Sequence, residues 1–519
     1  MTDYVIGANI LENLTTGMYK DSKVIYREYI QNSCDQIDKA VKDGIMKPNE
    51  GAIKIWLDND KRTITIEDNA TGITAASFQR TLGNIADSDK KIGEDKGFRG
   101  IGRLCGLAYC NELVFSSSAK GESIVSTMVC DAKKMRSFIE ENQHGKKHTV
   151  HEMLHAINRF EQAKTADCDS HFFRVELIDI NRENTDLLNC QQVKDYLSFV
   201  APVPYQNSFI YRSEVHNKAK DLCFRIDEYN ITLEGEQIFK KYTTSLKETN
   251  GNISDKIFEV HFKEFYDQDG ELFAWMWVGL SKFKGFLPKI NQMRGLRLRK
   301  ENIQIGGEDS LQKLFKEDRG TSYFIGEVFA VNKDLIPNSQ RDYFNENAAR
   351  AEFERMLRRY FNDELYKVYR DASEINSAIK KIDTYEKKES EFKEKEVAKG
   401  FIDKDHREKE LKIVVESKKE AEKAQILIEK KKDKADNPLT QKIIQRIEDE
   451  RPKAVIIEAV PPVNIEQPEK VKSSHRTDKL SQYNRPERKL ISKIFSIIVN
   501  ATDGETAERI ISRIEDGLQ

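Results

Sequence analysis

Two short segments near the amino-terminal end alternate apolar and polar residues: residues 52–57 (Ala-Ile-Lys-Ile-Trp-Leu) and residues 62–67 (Arg-Thr-Ile-Thr-Ile-Glu). Alternation with a period of two predicts strands with one apolar face, and the intervening Asp58-Asn59-Asp60-Lys61 predicts the turn of a hairpin. The second strand delivers Asp68 at its end. Upstream the period changes. Between Tyr26 and Asp38 a helix would place Ile30, Cys34 and Ile37 toward a core and Glu28, Asn32 and Asp35 on another face, at i, i+4 and i+7. With the glycine-rich turns that follow, residues 1–190 read as an α/β sandwich.

Residues 191–370 read as a second, α+β domain. It opens with a helix over 191–200 and the breaker Ala201-Pro202-Val203-Pro204, shows strand signals at 222–226, 257–262 and 272–280, and closes with a helical stretch over 346–369. Residues 371–451 are rich in Lys and Glu and predict a charged helical extension. Apolar positions at Leu411, Ile413, Val414, Ile426 and Leu427 allow either a single solvated helix or a paired coil. Proline and polar residues over 452–486 predict a flexible linker. Two short amphipathic helices around Asp503-Gly504 make 487–519 a candidate docking or dimerisation module.

Charge narrows the classes of partner. The 519 residues carry 85 Lys plus Arg against 87 Asp plus Glu, a formal net charge of -2, so the overall balance gives no support to tight nucleic-acid binding. No segment has the length and apolarity of a membrane span, and the start MTDYVIGANILENL lacks the basic region and apolar core of a signal peptide; the expectation is a cytoplasmic protein. The seven cysteines show no repeated Cys-x-x-Cys spacing, which favours reduced structural thiols over a zinc site.

Three segments carry candidate chemistry. On the helix, a carboxylate and an amide one turn apart, Glu28 and Asn32, can position a water and offer an oxygen to Mg²⁺, although a solvated acidic face has the same spelling. In Asp68-Asn69-Ala70-Thr71-Gly72-Ile73 a carboxylate at a strand end can accept from an amino group, and Gly72 permits a tight turn; alone, this is a turn signal. In Gly97-Phe98-Arg99-Gly100-Ile101-Gly102-Arg103 three glycines can present backbone N–H groups to phosphates ahead of a helix. The Gly-Lys-Ser/Thr ending of a P-loop is missing.

Taken in order, REYIQNSCDQIDK, DNATGI, LGNIADSD and GFRGIGRL resemble the motifs of the GHKL ATPases, above all the ninety-kilodalton heat-shock chaperone family. The resemblance implies a GHKL (Bergerat) ATPase domain that binds ATP with Mg²⁺. It implies Glu28 as general base, Asn32 as metal ligand, Asp35 in the adenine-side network and Asp68 as the acceptor for the adenine amino group. Asn84 would contact ribose or phosphate. Gly97, Gly100 and Gly102 would form a mobile lid around the phosphates, with Arg99 and Arg103 as electrostatic contacts or as solvated loop charges. Asp334-Leu335-Ile336-Pro337-Asn338-Ser339-Gln340-Arg341 resembles the middle-domain loop of the same family and implies Arg341 as the cation for the γ-phosphate, against the alternative of a surface Arg-Asp pair.

Two departures stand out. Ala70 occupies the first glycine position of Asp-x-Gly-x-Gly, and the fourth motif, placed at residues 170–177, lacks its threonine; His171 there is expected to be structural or exposed. Arg294, Arg297, Arg299 and Lys300 form a basic stretch, expected to be exposed and mutually solvated, that could meet a polyanion. The function that results is a Mg-ATP-driven homodimeric clamp remodelling a protein partner. The alternative is a nucleic-acid-associated GHKL clamp that binds DNA, as in antiphage defence, and a nucleotide-binding pseudoenzyme is the third reading.

Overall fold

The computed structural model describes residues 6–7, 9–15, 17, 21–85, 96, 100–165, 167–433, 437–450, 487, 490–491, 494–495, 498 and 504–518. Two compact units divide the chain, Met1–Pro452 and Lys453–Gln519. The expected linker lies outside the described residues. In the second unit the helix Gly504–Gly517 is described.

The first unit begins with α1 (Asn9–Leu14), α2 (Val24–Lys42), β1 (Ala52–Asp58), β2 (Thr63–Asp68) and α3 (Ala75–Gly83). It continues through β3 (Cys110–Ser118), β4 (Ile124–Asp131), α4 (Ala132–Gln143), α5 (Val150–Ile157), β5 (Asn158–Lys164), β6 (Phe172–Ile180), α6 (Cys190–Val200), α7 (Arg212–Asp221), β7 (Asn230–Leu233) and β8 (Glu236–Gln237). These strands form one eight-stranded sheet in the order β5-β4-β3-β6-β2-β1-β7-β8. The expected hairpin pairs antiparallel with Ile55 opposite Ile66 and Ile53 opposite Asp68. Along β2, Ile64, Ile66 and Asp68 are buried while their neighbours are only half-buried, so the pleat that buries two isoleucines also carries the carboxylate of Asp68 inward. Ile25, Tyr29, Cys34 and Ile37 of α2 join Ile53, Ile55, Ile64 and Ile66 in one core.

That sheet does not end at residue 190. β7 pairs parallel with β1, Glu234 N–H donates to Ile55 O at 2.9 Å, and β8 adds an outer antiparallel strand. Without β7 the outer main-chain groups of β1 would stand unpaired at a sheet edge. The strand expected at 222–226 is absent; its residues follow α7 as irregular chain.

A second sheet is built from β11 (Glu259–Tyr266), β12 (Leu272–Leu280), β13 (Gly295–Lys300), β14 (Ile303–Gln304) and β15 (Ile325–Ala330), after the small hairpin of β9 (Ser245–Lys247) and β10 (Ile253–Lys256). Its order is β11-β12-β15-β13-β14. The unbroken apolar run of β12 is covered on both faces: Trp275 and Trp277 pack with Phe199, Tyr205, Phe209 and Tyr242, whereas Met276 and Val278 pack against helices. Glu301 and Asn302, both with positive φ (52° and 61°), make the two-residue turn between β13 and β14.

The closing helix runs further than expected. α8 (Ala348–Tyr360) passes through a π turn at Phe361–Leu365 into α9 (Tyr366–Val397), so no break separates the second sheet's helices from the charged extension. α10 (Lys404–Asp433) folds back on α9 as an antiparallel pair, with Lys381 to Glu420 at 2.8 Å and Lys395 to Glu410 at 3.0 Å. Its seam is Ala378, Ile382 and Tyr385 against Ala421 and Ala424, with Val414 and Ile428 beside them. Ile413, Ile426 and Leu427, expected to pack a partner helix, are exposed instead, because they fall off the stripe that Val414, Ala421, Ala424 and Ile428 define. α11 (Pro438–Asp449) returns to the second sheet's core through Leu439, Ile443, Ile444 and Ile447.

Candidate functional site

α2 presents Glu28 and Asn32 half-buried on one face, with Asp35 buried a turn further on. One oxygen of Glu28 faces two cations: Arg27 Nη2 at 3.2 Å and Arg341 Nε at 4.0 Å. The same Arg27 nitrogen donates to Gln340 O at 3.1 Å, which ties α2 directly to the loop carrying Arg341. Gly102 lies against Glu28, and a Cβ there would come within 2.5 Å of Glu28 Oε2. Glycine at this point is therefore a steric condition for the carboxylate's position.

Asp68 is 1% exposed. Its Oδ1 accepts from Ala70 N–H at 3.1 Å, while Oδ2 is buried with no hydrogen-bond partner among the described residues. Burial pushes this carboxyl up to about 7, against smaller pulls downward from the Ser33 hydroxyl and the Ala70 amide. A buried acceptor in this condition is costly unless a ligand supplies the donor. Ala70 keeps a negative φ and packs fully buried, so alanine fits where the motif has glycine. Gly72 does not have that freedom: its φ is +64° and a Cβ would sit 1.9 Å from Ser118 O. His171 donates through Nδ1 to Ala70 O at 2.5 Å and so braces this turn from the residue just before β6. Hydrogen-bonded to a carbonyl oxygen, that ring nitrogen carries the proton and donates.

The glycine-rich segment is partly described. Gly97 and Arg99 lie outside the described residues. Gly100 has φ +68°, and Gly102 opens a 3-10 helix that runs to Ala108. Arg103 donates through Nη2 to Asn84 O, its own carbonyl accepts from Tyr29 O–H at 3.0 Å, and its Nε is buried without a partner. Burial lowers its pKa. Asn84 is exposed and meets Arg103 through its backbone rather than its side chain.

Lys96, just before those glycines, is a residue that sequence reasoning missed. Its N–H donates to Asp35 Oδ1 at 2.8 Å, its Nζ lies 2.7 Å from Asp38 and 3.2 Å from Asp227, and its carbonyl accepts from Arg341 Nη2. Burial opposes the charge, but Asp227, Tyr229 and Asp38 hold the ammonium well above the usual lysine range. Asp35, which the resemblance puts in the adenine-side network, accepts the Lys96 N–H bond from the chain just before the glycine-rich segment. Arg27 was also missed; its place beside Glu28 in the sequence was the only available signal. No local pattern pairs Lys96 with Asp227.

Arg341 is buried, not a surface pair with Asp342. Its φ of +54° is unusual for a residue with a side chain, and its carbonyl accepts from Gly306 N–H at 2.8 Å. The basic stretch is likewise not a patch. Arg297, Arg299 and Lys300 are buried because β13 is covered on both faces: Arg297 stacks over Phe199 at 4.1 Å, Arg299 pairs with Glu327, and Lys300 donates to Asn332 O at 2.9 Å. Arg294 pairs with Glu308 at 3.1 Å. The expected solvated cluster, and with it a surface for a polyanion, is not formed there.

α5 spells His151-Glu152-Met153-Leu154-His155, the pattern of a zinc-protease helix. Here Glu152 closes a capping box with Thr149, and among the described residues no group of three or more His, Cys, Asp or Glu is arranged to hold a metal.

Residues 20–163 match the family described as "Histidine kinase-, DNA gyrase B-, and HSP90-like ATPase". The chain is similar to the chaperone protein HtpG of Coxiella burnetii, 38% identical over 85 residues, which is 15% of this chain and 13% of that protein. It is 28% identical over 153 residues to HtpG of Psychrobacter arcticus, covering 26% of this chain and 23% of the relative. With HtpG of Chromobacterium violaceum it shares 28% over 132 residues, 22% and 21% of the two chains. The chain thus spans less than a quarter of the length of these curated relatives. Over residues 20–163 this protein carries an ATPase domain of the GHKL superfamily that resembles the HSP90 family.

Proposed function

We propose that the chain hydrolyses Mg-ATP and uses the cycle to close a homodimer around a protein partner. The observation that carries this reading is the meeting of Glu28 and Arg341, which belong to different sheets' surroundings and whose charged atoms lie 4.0 Å apart. ATP with Mg²⁺, when bound, supplies the transferable phosphoryl group and a metal charge shared between its oxygens.

The donor set fits that ligand. Asp68 Oδ2 is a buried acceptor short of a donor, which an adenine amino group provides. Asn32, one turn from Glu28, would give the metal an amide oxygen. Glu28 would polarise the attacking water, and Arg341 would offset charge growing on the phosphoryl oxygens. Gly72, Gly100 and Gly102, with Gly97, would let the backbone approach the phosphates, with Arg99 beside them. Arg103 and Asn84 would hold the loop's shape through the bond between them. Asp35 would fix the root of the lid.

What favours a protein partner over duplex DNA is the burial of Arg297, Arg299 and Lys300, a basic stretch that together with the charged helical extension allowed the nucleic-acid reading. Dimer contacts through the amino-terminal domain or the terminal helices belong to the same proposal. The test is Mg²⁺-dependent hydrolysis by wild type and Glu28→Ala, each with duplex DNA, with an unfolded model protein, or alone. The reading expects wild-type turnover that falls about 10²–10⁴-fold on substitution and responds to the unfolded protein. Turnover that survives Glu28→Ala contradicts it, and stimulation by DNA alone replaces the protein partner with a nucleic acid.

A further inference from the structure

Arg341 can act on a phosphoryl group only if its loop is held in one place; the loop closes on itself through Asn338 N–H to Tyr343 O and Asn345 N–H to Ile336 O, both at 2.9 Å, but where its tip sits depends on contacts from outside it. The positive φ of Arg341 is a strained choice, and strain persists only where surrounding contacts over-determine it. Four contacts reach across from elsewhere in the chain: Arg27 Nη2 to Gln340 O at 3.1 Å, Glu28 to Arg341 Nε at 4.0 Å, Gly306 N–H to the Arg341 carbonyl at 2.8 Å, and, last, the Arg341 guanidinium to the Lys96 carbonyl. The contact with Lys96 is the informative one, because Lys96 stands just before the glycine-rich segment.

Lys96 is itself pinned from both ends. Its backbone N–H is bound to Asp35 on α2, the helix that carries Glu28 and Asn32. Its ammonium is held by Asp38, also on α2, and by Asp227 from the chain between α7 and β7. Tyr229 donates to the same oxygen of Asp38 at 2.6 Å and packs its ring near the ammonium. The tie continues into the second sheet, since Asn302 Nδ2 donates to Asp227 O at 2.5 Å and Asn302 Oδ1 accepts from Lys240, which pairs with Glu327. A lysine with this pattern is more than a neutralised charge: a single residue joins α2, the chain ahead of β7 and the Arg341 loop.

We propose that Lys96, clamped by Asp38 and Asp227, is a positioning residue that holds Arg341 through its carbonyl. The proposal rests on the ATPase reading above for its catalytic consequence, but not for its structural one. A long-range tie of this kind acts through geometry, and misplacement of a catalytic group by about 1 Å costs on the order of 10²-fold in rate. Asp68, the proposed adenine contact, takes no part in the tie.

The experiment uses the full chain with Lys96→Met, Asp227→Asn, Arg341→Ala and the doubles with Arg341→Ala. Three readings are taken: kcat and KM for ATP, affinity for ADP by titration, and amide hydrogen exchange across residues 334–344. Lys96→Met is expected to lower kcat by about 10–100-fold with ADP affinity nearly unchanged, and to speed exchange in 334–344. Adding Arg341→Ala should then cost almost nothing more, because both changes remove one function. Asp227→Asn keeps the volume and loses only the charge; it is expected to give the same pattern in smaller measure, and it decides the matter if Lys96→Met does not fold. Additive losses in the doubles, or unaltered exchange in 334–344, overturn the proposal. Absence of wild-type turnover would defeat the ATPase reading alone, and the exchange measurement would still decide whether Lys96 holds the loop.

Discussion

The two sheets treat a buried carboxylate in opposite ways. Glu327, in the second sheet, has lost all exposure but is answered by Arg299, by Lys240 at 3.2 Å and by the Tyr205 hydroxyl. Despite burial, those cations hold its carboxyl down at about 2. Asp68, in the first sheet, is buried as deeply, has no cation beside it, and is held up at about 7. One buried carboxylate is thus satisfied fully, whereas the other keeps one oxygen without a hydrogen-bond partner among the described residues. The first group completes a core; the second, in the function proposed here, is left for the adenine amino group to complete.

Breaking the satisfied group should have the larger effect. Glu327→Ala leaves Arg299 and Lys240 buried without their counter-charge and is expected to cost about 3–5 kcal/mol of stability by urea denaturation. A loss below about 1 kcal/mol would mean that the triad is not holding the second sheet.

The unsatisfied group should respond with the opposite sign. Because folding raises the Asp68 pKa to about 7, the folded chain keeps a proton between about pH 4 and 7 that the unfolded chain has given up. Stability from this group is therefore lost as pH rises through that window, and the full cost is present above about pH 7. Asp68→Asn removes the slope; at pH 8 and without nucleotide the variant is expected to be the more stable protein by about 1–3 kcal/mol. Adenine nucleotide, by donating to the ionised form, should bind wild type more tightly at pH 8 than at pH 6. Equal affinity at the two values would break the comparison.

Ser33→Ala offers a smaller adjustment. It removes a hydroxyl that favours the ionised carboxylate, so nucleotide affinity at pH 7 is expected to fall by about 0.5–1.5 kcal/mol, read by titration.

Much of the first sheet could be read along the chain because its determinants are local. The alternation in residues 52–67 sets the hairpin, and the same period of two puts Asp68 on the face of Ile64 and Ile66. The stripe on α2 likewise separates Cys34 and Ile37 from Glu28 and Asn32. What escaped depended on partners distant in sequence. β7 is four residues long and becomes a strand because β1 offers it an edge. Arg297 and Arg299 look like surface charges until Phe199 and Glu327 arrive from other elements. The seam of α9 and α10 is built on Ala421 and Ala424, small residues that carry little apolar signal, while the larger Ile413 and Ile426 face solvent. Lys96 was hidden for the same reason, since Asp227 gives no local sign of it.

The account turns on the bare oxygen of Asp68, and the direct measurement is titration of Mg-ADP into wild type and Asp68→Asn at pH 8, with the fold of each checked by circular dichroism. The account predicts binding by wild type and an affinity lower by about 10–100-fold in a variant that is folded and no less stable. Equal binding by the two proteins would contradict it.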